Sequence, residues 1–192
     1  MMDETLFDLP EITKANHRIR MMVGARKNLN KNDFYATPEI ATVKFLDHEK
    51  FEDEIWEPAC GDGAMSRVIE HYGYQCKSTD LIDRGYGEGG IDFLRCTYSA
   101  ENIITNPPFK LANKFIHHAL EHSKKKVALL LRLNILESKG RKKLFTEYPF
   151  ARLYVNSERI PFMAKTGSNN AIAFAWYVWD FSYRGKPTIE FL

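Results

Sequence analysis

Residues 102–109 read Asn-Ile-Ile-Thr-Asn-Pro-Pro-Phe, a short apolar strand sequence followed at once by a rigid, polar turn. Two consecutive prolines fix the backbone and remove two N–H donors, so the carbonyls of Asn106 and Pro107 have few local partners. The Asn106 side chain adds another carbonyl acceptor, and Phe109 adds an aromatic face. This combination suits a planar ligand that carries an amino group, although a proline-stiffened turn beside a core phenylalanine has the same signature.

Strand and helix patterns alternate on both sides of this stretch. Further strands are predicted at residues 55–58, 75–79, 126–132, 153–155 and 171–179. Helical spacing of apolar residues separates several of them, and residues 126–132 are apolar enough for a parallel strand covered on both faces. We therefore predict an α/β fold with a doubly wound, mostly parallel sheet.

A helix is predicted to begin just before the first strand. Thr37 suits the N-cap, Pro38 the first helical position, and Glu39 complements the helix dipole. In doubly wound sheets, ligands bind beyond the carboxyl ends of the strands. Four polar residues are expected to gather there: Asp62, Asp80, Asp92 and Asn106.

A glycine-containing loop follows the first predicted strand, where residues 57–63 read Glu-Pro-Ala-Cys-Gly-Asp-Gly. The glycines allow the backbone to approach a ligand closely, and the acids place carboxylates beside it. The loop lacks the third glycine and the lysine of phosphate-binding loops, so it favours a nucleoside with a cationic or zwitterionic end. Asp80 is placed to accept hydrogen bonds from ribose hydroxyls. Asp92 is placed to receive an adenine amino group, with Phe93 packed on the ring.

These motifs, in this order, resemble those of S-adenosylmethionine-dependent DNA adenine-N6 methyltransferases of the amino-methyltransferase family. The residues that carry the likeness are 57–63 and 106–109, together with the upstream segment 34–38, Phe-Tyr-Ala-Thr-Pro. The likeness covers residues 33–179, and its specific motifs precede Lys110. It implies a Rossmann-like methyltransferase fold, S-adenosylmethionine as the cofactor and DNA as the partner.

The resemblance also implies roles for single residues. Glu57 and Gly61 would border the methionine part of the cofactor, and Asp80 would hold its ribose. Asp92 and Phe93 would hold its adenine, and the 34–38 segment would close over the methionine end. The implied cofactor-binding residues are Tyr35, Thr37, Glu57, Ala59, Gly61, Asp80, Leu81, Asp92, Phe93 and Asn106.

The predicted catalytic residues are Asn106, Pro107 and Phe109. The Asn106 side-chain carbonyl and the Pro107 backbone carbonyl would each accept an N6 hydrogen, which stabilises developing charge and aims the lone pair at the methyl group. Phe109 would stack on the target base, which must first leave the duplex. No insertion is long enough for a separate target-recognition domain, an economy shared with small phage-type members, so residues 1–32 and the loop 157–170 would contact DNA.

Charge is unevenly distributed along the chain. Residues 12–32 contain six lysines and arginines and no acid, which predicts a basic arm over residues 1–32 ahead of a single domain at 33–192. Residues 124–126 and 139–143 form a second cationic cluster. Such patches suit polyphosphate partners, although a solvated face has the same composition. No apolar run approaches the roughly 20 residues that span a bilayer, and the acidic N-terminus is unlike a signal peptide, so no membrane partner and a cytoplasmic location are predicted.

No metal site is predicted. Cys60, Cys76 and Cys96 are odd in number and lack CxxC spacing, so reduced thiols are expected. His118 and His122 share a helix face, but a solvated or capping role is favoured because we find no carboxylate or cysteine at ligand spacing.

Other functions stay open on the sequence. Related enzymes with a similar Asn-Pro-Pro turn methylate RNA bases or protein glutamine side chains, and Phe109 favours adenine because the glutamine enzymes usually carry tyrosine there. A catalytically silent nucleic-acid-binding module is a further alternative. The presence of Glu57, Asp80 and Asn106 argues against it.

Overall fold

The computed structural model describes residues 35–158, 160 and 172–192. These residues belong to one unit, Lys31–Leu192. Two predicted DNA-contacting segments lie largely outside the described residues. They are the basic arm, residues 1–32, which lies wholly outside, and the loop 157–170, most of which does.

The described residues form a sheet of eight strands in the spatial order β3-β2-β1-β4-β5-β7-β6-β8. In chain order the strands are β1 Ile55–Glu57, β2 Cys76–Asp80, β3 Glu88–Gly89, β4 Ala100–Thr105, β5 Ser123–Arg132, β6 Phe150–Val155, β7 Phe174–Asp180 and β8 Thr188–Phe191. β7 runs antiparallel to both of its neighbours, β5 and β6. The other pairings are parallel, so the prediction of a doubly wound, mostly parallel α/β sheet is confirmed.

Helices and single helical turns connect the strands. The α-helices are α1 Glu39–His48, α2 Ala64–His71, α3 Ala112–His122 and α4 Lys142–Thr146. The 3-10 turns are Phe93–Arg95, Phe109–Leu111, Leu133–Leu136 and Lys139–Arg141. No helix in the described part of the chain is long and apolar enough to cross a membrane.

The prediction that Thr37 is the N-cap of the first helix is wrong. The N-cap is Pro38, which makes no side-chain cap, and α1 begins at Glu39. Thr37, the predicted cap, is buried, and its hydroxyl oxygen accepts a hydrogen bond from the Asn106 side chain at 3.0 Å. The Thr37 hydroxyl, which the sequence predicts to cap the first turn of α1, therefore binds the distant Asn106 amide instead.

Strand β5 differs from its prediction on one side. It pairs in parallel with β4, as expected, but β7 lies antiparallel on the other side. Residues Val127–Leu131 are fully buried in either arrangement. An apolar run covered on both faces carries no signal for the direction of its neighbour, which is why the sequence did not reveal the reversal.

Three buried tryptophans fill the core on both sides of the sheet. Their indole N–H groups all find acceptors: Trp56 donates to Thr79 Oγ1, Trp176 to the Ala41 carbonyl and Trp179 to the Leu144 carbonyl, at 3.0, 3.1 and 2.7 Å. A buried indole without an acceptor would destabilise the fold. The Trp176 and Trp179 bonds join β7 to α1 and α4, and the Trp56 bond joins β1 to β2 within the sheet.

A buried ion cluster lies at the amino end of β5, away from the strand ends where ligands are expected. Glu49 is 3% exposed and its carboxylate contacts Lys126 Nζ at 2.6 Å and Arg152 Nε at 2.5 Å. The Tyr154 hydroxyl donates to the same carboxylate at 2.9 Å. Asp180 lies 3.1 Å from Arg152 and 3.5 Å from Lys126. We call these five residues the Glu49 cluster.

Candidate active site

A cavity of about 600 Å³ opens beyond the carboxyl ends of β1, β2 and β4. All of the predicted site residues line it except Gly61: they are Tyr35, Thr37, Glu57, Ala59, Asp80, Leu81, Asp92, Phe93, Asn106, Pro107 and Phe109. Asp62, the remaining acid expected at this edge, lines it as well. The sheet therefore brings together residues from segments far apart in sequence.

Gly61 supports the site from behind rather than lining it. Its backbone N–H donates to Asp80 Oδ2 at 2.8 Å, and the Ile82 N–H donates to Asp80 Oδ1 at 2.8 Å. These two bonds fix the Asp80 carboxylate at the end of β2. Because a carboxylate oxygen can accept more than one hydrogen bond, Asp80 keeps acceptor capacity for a ligand in the cavity.

The glycine loop needs its second glycine for a steric reason. Gly63 has φ +79°, and a Cβ there would lie 2.3 Å from Cγ of Tyr86. The Tyr86 ring also lies 4.5 Å from the Arg67 guanidinium. The loop and the segment after β2 therefore pack together through Gly63.

Glu57 is the buried acid of the site, 2% exposed at the end of β1. The Ser66 hydroxyl donates to its carboxyl, and the Ser78 hydroxyl donates to Ser66 at 2.7 Å. Burial raises the pKa of Glu57 to about 8, with a smaller upward contribution from Asp80, while the Ser66 hydrogen bond opposes the shift. Glu57 is therefore largely protonated at neutral pH until a cationic group lies beside it.

Asp92 and Phe93 form a further part of the cavity wall. Asp92 caps the 3-10 turn Phe93–Arg95, where its Oδ1 accepts from the Leu94 N–H at 3.1 Å. Phe93 is 2% exposed and packs edge-on against Trp56, with ring centroids 5.1 Å apart. Phe93 is thus a core residue that also borders the cavity, and its position is fixed by packing.

Asn106 follows β4 and is held by one half of its amide. Nδ2 donates to Thr37 Oγ1 at 3.0 Å, whereas Oδ1 is buried and accepts no hydrogen bond from any described residue. Buried polar atoms without partners are uncommon in native proteins and each calls for a cause. Because Asn106 Oδ1 is held in place beside the cavity, it is suited to accept a hydrogen bond from an N–H or O–H group of a bound ligand.

Phe109 is surrounded by planar and cationic groups. The Tyr35 ring stacks on it with centroids 5.6 Å apart and planes 16° apart, and the Arg132 guanidinium lies 4.6 Å from its centroid. Phe174, at the start of β7, lies 5.4 Å away. One face of the Phe109 ring is therefore stacked against another aromatic ring, that of Tyr35.

No protein-family model and no curated protein matches the chain. Solved structures do match it in fold. A protein described as an RNA methyltransferase from Pyrococcus horikoshii has 14% identity and a TM-score of 0.67, over 88% of this chain and 98% of that one. A protein described as the modification subunit of a type I restriction enzyme from Vibrio vulnificus YJ016 has 15% identity and a TM-score of 0.57, over 92% and 49%.

A third match is magnesium protoporphyrin IX methyltransferase from Synechocystis PCC 6803, a structure with bound SAM. Its identity is 12% and its TM-score 0.55, over 92% of this chain and 100% of that one. The chain has the Rossmann-like methyltransferase fold. The fold part of the sequence prediction is thereby confirmed.

Arg132 and Phe174, which the sequence analysis did not select, contact the predicted site residue Phe109, although neither lines the cavity. Arg132 ends β5, and Leu131 before it is buried. The rule that selects Asp80 and Asn106, a polar residue at the carboxyl end of a predicted strand, also selects Arg132. Phe174 had no such signal, because the antiparallel insertion of β7 is what brings its first residue to Phe109.

The cysteines of this methyltransferase fold are free thiols, as predicted. Burial raises the pKa of Cys60 and of Cys76 to about 12, with a further upward contribution from Glu57 in both cases. Thiols with such pKa values stay protonated at neutral pH and are poor nucleophiles. Cys60 lines the cavity, and its thiol lies 3.5 Å from the Tyr86 carbonyl.

The histidine pair lies on α3, outside the residues that line the cavity. The sequence interpretation held that no carboxylate accompanies His118 and His122, and this is wrong. Ligand atoms of His118, Glu121 and His122 all lie within 4.8 Å of one another. Glu121 was overlooked because residues three apart share a helix face as residues four apart do.

Proposed function

We propose that this protein transfers the methyl group of S-adenosylmethionine to the exocyclic N6 amino group of adenine in DNA. The observation that carries the proposal is the Asn106 amide, whose nitrogen is anchored on Thr37 while its buried oxygen accepts no hydrogen bond within the described residues. An amino group on a planar base supplies the missing donor.

The cavity fits S-adenosylmethionine in size and in chemistry. About 600 Å³ is within the range of ligand pockets that enclose a molecule of this size. Asp80, held by two backbone N–H groups, would accept the ribose hydroxyls, and Asp92 would accept the adenine amino group. The protonated Glu57 would ionise beside the cationic methionine end.

Bound S-adenosylmethionine supplies an electrophilic methyl group on a sulfonium. The residues of the chain orient the acceptor nitrogen. The Asn106 side-chain carbonyl and the Pro107 backbone carbonyl would accept the two N6 hydrogens, which turns the lone pair out of the base plane. As the bond from N6 to the methyl carbon forms, the bond from that carbon to the sulfonium sulfur would break and its electron pair would stay on sulfur. Both carbonyl dipoles would stabilise the positive charge that develops on N6. N6 would then lose one of its two hydrogens to water as a proton.

Phe109 would hold the target base against its ring. Its present contact with Tyr35, nearly parallel at 5.6 Å, has the geometry of such a stack. Stacking on an aromatic side chain contributes about 1–3 kcal/mol per base in proteins that bind extruded or single-stranded bases. Arg132, on the other hand, offers a cation at the same ring for the base or its phosphate.

The nucleic-acid partner is proposed from charge and from two of the similar structures. The Pyrococcus protein is described as an RNA methyltransferase and the Vibrio protein as a restriction-enzyme modification subunit. Of the second cationic cluster, Lys124 and Lys125 form ion pairs with Glu101, Glu52 and Asp53, and Lys126 belongs to the Glu49 cluster. The segment Lys139–Arg141 and the exposed lysines after it, together with the arm 1–32, are the proposed DNA contacts.

The test is product analysis with labelled S-adenosylmethionine. Wild-type protein would be incubated with unmethylated duplex DNA, single-stranded DNA, RNA of matched sequence and a glutamine-containing protein mixture, and the products hydrolysed to nucleosides and amino acids. The proposal expects N6-methyladenine from DNA, with Asn106→Ala as the low-activity control. Methylated glutamine, methylated RNA alone or N4-methylcytosine without N6-methyladenine would replace it by another acceptor. Cofactor binding with no product of any kind would leave the catalytically silent alternative.

A further inference from the structure

We propose that His118, Glu121 and His122 form a binding site for a divalent transition-metal ion of the zinc class. The three residues lie at the carboxyl end of α3, and their ligand atoms are within 4.8 Å of one another. The site is separate from the cavity and does not depend on the proposed methyl transfer.

Each imidazole is held by one nitrogen and presents the other. His118 Nε2 lies 3.1 Å from the Cys96 carbonyl, and His122 Nδ1 lies 2.9 Å from the His118 carbonyl. A carbonyl only accepts, so each of these nitrogens carries the hydrogen. Nδ1 of His118 and Nε2 of His122 are therefore the ring nitrogens that these two hydrogen bonds leave available to a metal ion.

This arrangement is the one that metal-binding histidines adopt in general. The second ring nitrogen of such a histidine donates to a carbonyl or carboxylate, which fixes the tautomer and the ring orientation. Here both rings are fixed in this way by backbone carbonyls, and they stack with centroids 3.9 Å apart.

Glu121 and the carboxyl end of α3 both provide negative charge beside the proposed cation. Glu121 is exposed, and its carboxylate supplies a negative oxygen ligand beside the two ring nitrogens. The last turn of a helix has a partial negative charge that favours cations. Two imidazoles and one carboxylate form a donor set that holds Zn²⁺ with a fourth position open to water.

The three side chains lie near one another, at a spacing close to that of a metal site. Ligand atoms bound to one tetrahedral Zn²⁺ lie roughly 3.5 Å apart, given metal–ligand bonds of about 2.0–2.2 Å. The upper limit of 4.8 Å in this structure exceeds that spacing modestly. The exposed Glu121 side chain can rotate without disturbing the core.

A metal here would brace the wall of the cavity. The His118 ring packs edge-on against Phe93, with centroids 4.7 Å apart, and its N–H holds Cys96 at the end of the 3-10 turn. Fixing His118 through a metal would therefore fix the segment that carries Asp92 and Phe93. The expected effect of the ion is stabilisation of the fold rather than chemistry.

The experiment is a Zn²⁺ titration of metal-free protein against a chromophoric chelator, repeated with Co²⁺ to read the coordination from its absorption spectrum. Variants His122→Ala and Glu121→Gln each remove one ligand, and His117→Ala removes an exposed histidine from the same helix as the matched control. The proposal expects one equivalent of Zn²⁺ in wild type and in His117→Ala. Affinity should fall by roughly tenfold or more in the other two, since even outer-shell changes cost about 10–100-fold.

Thermal unfolding with and without Zn²⁺ gives the second measurement. The ion should raise the Tm of wild type and of His117→Ala, and raise it much less in Glu121→Gln, an exposed substitution that leaves the fold intact. Wild type that binds Zn²⁺ no more tightly than Glu121→Gln and His122→Ala would overturn the proposal. The histidines would then serve only to cap the end of α3.

Discussion

The side-chain nitrogen of Asn106 lies 3.0 Å from Oγ1 of Thr37, a residue 69 positions earlier in the chain. This contact ties the segment before α1 to the turn after β4. It also sets the rotation of the Asn106 amide, so that the carbonyl oxygen is left as the buried atom without a described partner. A change at Thr37 should therefore be felt at the Asn106 carbonyl.

Asn106→Ala should reduce the rate of methyl transfer by about 10²–10³-fold, the usual cost of removing one preorganised hydrogen-bonding group. Cofactor affinity should change little, because Asp80 and Asp92 remain. Single-turnover kinetics and calorimetry with S-adenosylmethionine measure the two effects separately. Thr37→Val should slow transfer by loosening the same amide, whereas Thr37→Ser keeps the acceptor and should be close to wild type. Equal rates in the two Thr37 variants would remove that residue from the mechanism.

Asp80→Ala should weaken S-adenosylmethionine binding markedly, because the ribose hydroxyls lose their acceptor. It should also lower the Tm, since the Gly61 and Ile82 N–H groups lose theirs. Calorimetry measures the first effect and thermal unfolding the second. Asp83→Ala is the matched control: Asp83 also accepts a backbone N–H, from Gly85 at 2.8 Å, but is exposed and outside the cavity lining. Unchanged affinity in folded Asp80→Ala would exclude Asp80 from the cofactor site.

Glu57 should make stability depend on pH. Its pKa in the folded protein is about 8, above the ordinary value of 4.5, because burial disfavours the carboxylate. The folded state therefore keeps a proton that the unfolded state releases, so its contribution is full below pH 4.5 and is lost as the pH rises to 8. The slope would be about 1.4 kcal/mol per pH unit within that window.

Urea unfolding of cofactor-free protein across this pH range measures the slope. Glu57→Gln removes the titrating group and should flatten the profile. Glu88→Gln, an exposed substitution on β3, should leave the profile unchanged. A wild-type profile as flat as that of Glu57→Gln would show that Glu57 is ionised in the folded protein.

The Glu49 cluster should contribute strongly to stability. Glu49→Ala leaves Lys126 and Arg152 partly buried, with Asp180 as the remaining acid of the Glu49 cluster. Removing one partner of a buried pair costs about 3–5 kcal/mol, and the lower end is expected because Asp180 remains. Glu158→Ala is the control, since its carboxylate pairs with Lys44 but is 85% exposed, and it should cost no more than about 1 kcal/mol. Similar midpoints for the two variants in urea would contradict this prediction.

The sequence predicted the positions of polar residues best where those residues directly follow a strand. Polar residues at the ends of predicted strands, such as Asp80 and Asn106, were found because parallel strands end at one edge of a sheet. The sequence did not predict features that depend on contacts between residues far apart in the chain. The antiparallel course of β7, which brings Phe174 to Phe109, has no local signature, and the bond from Asn106 overrides the capping propensity of Thr37.

Short strands at the sheet edges were also missed. β3 is two residues long and lies within a glycine-rich segment that reads as a loop, so only its pairing with β2 reveals it. β8 alternates polar and apolar residues but is only four residues long, the lower limit at which alternation indicates a strand, and its Ile189 and Phe191 are 64% and 70% exposed. Both strands lie at the ends of the sheet, and neither contributes a residue to the lining of the cavity.

The stack of Tyr35 on Phe109 bears on how a turnover would finish. In the proposed reaction, a base that occupies Phe109 must displace the Tyr35 ring, and that ring remains tethered within reach. A tethered ring competes at a high effective concentration, so it weakens the hold on every base, methylated or not. If the proposed reaction takes place, the stack would therefore lower ground-state affinity for the acceptor base and speed product release, which would favour rapid cycling over tight retention of the nucleic acid.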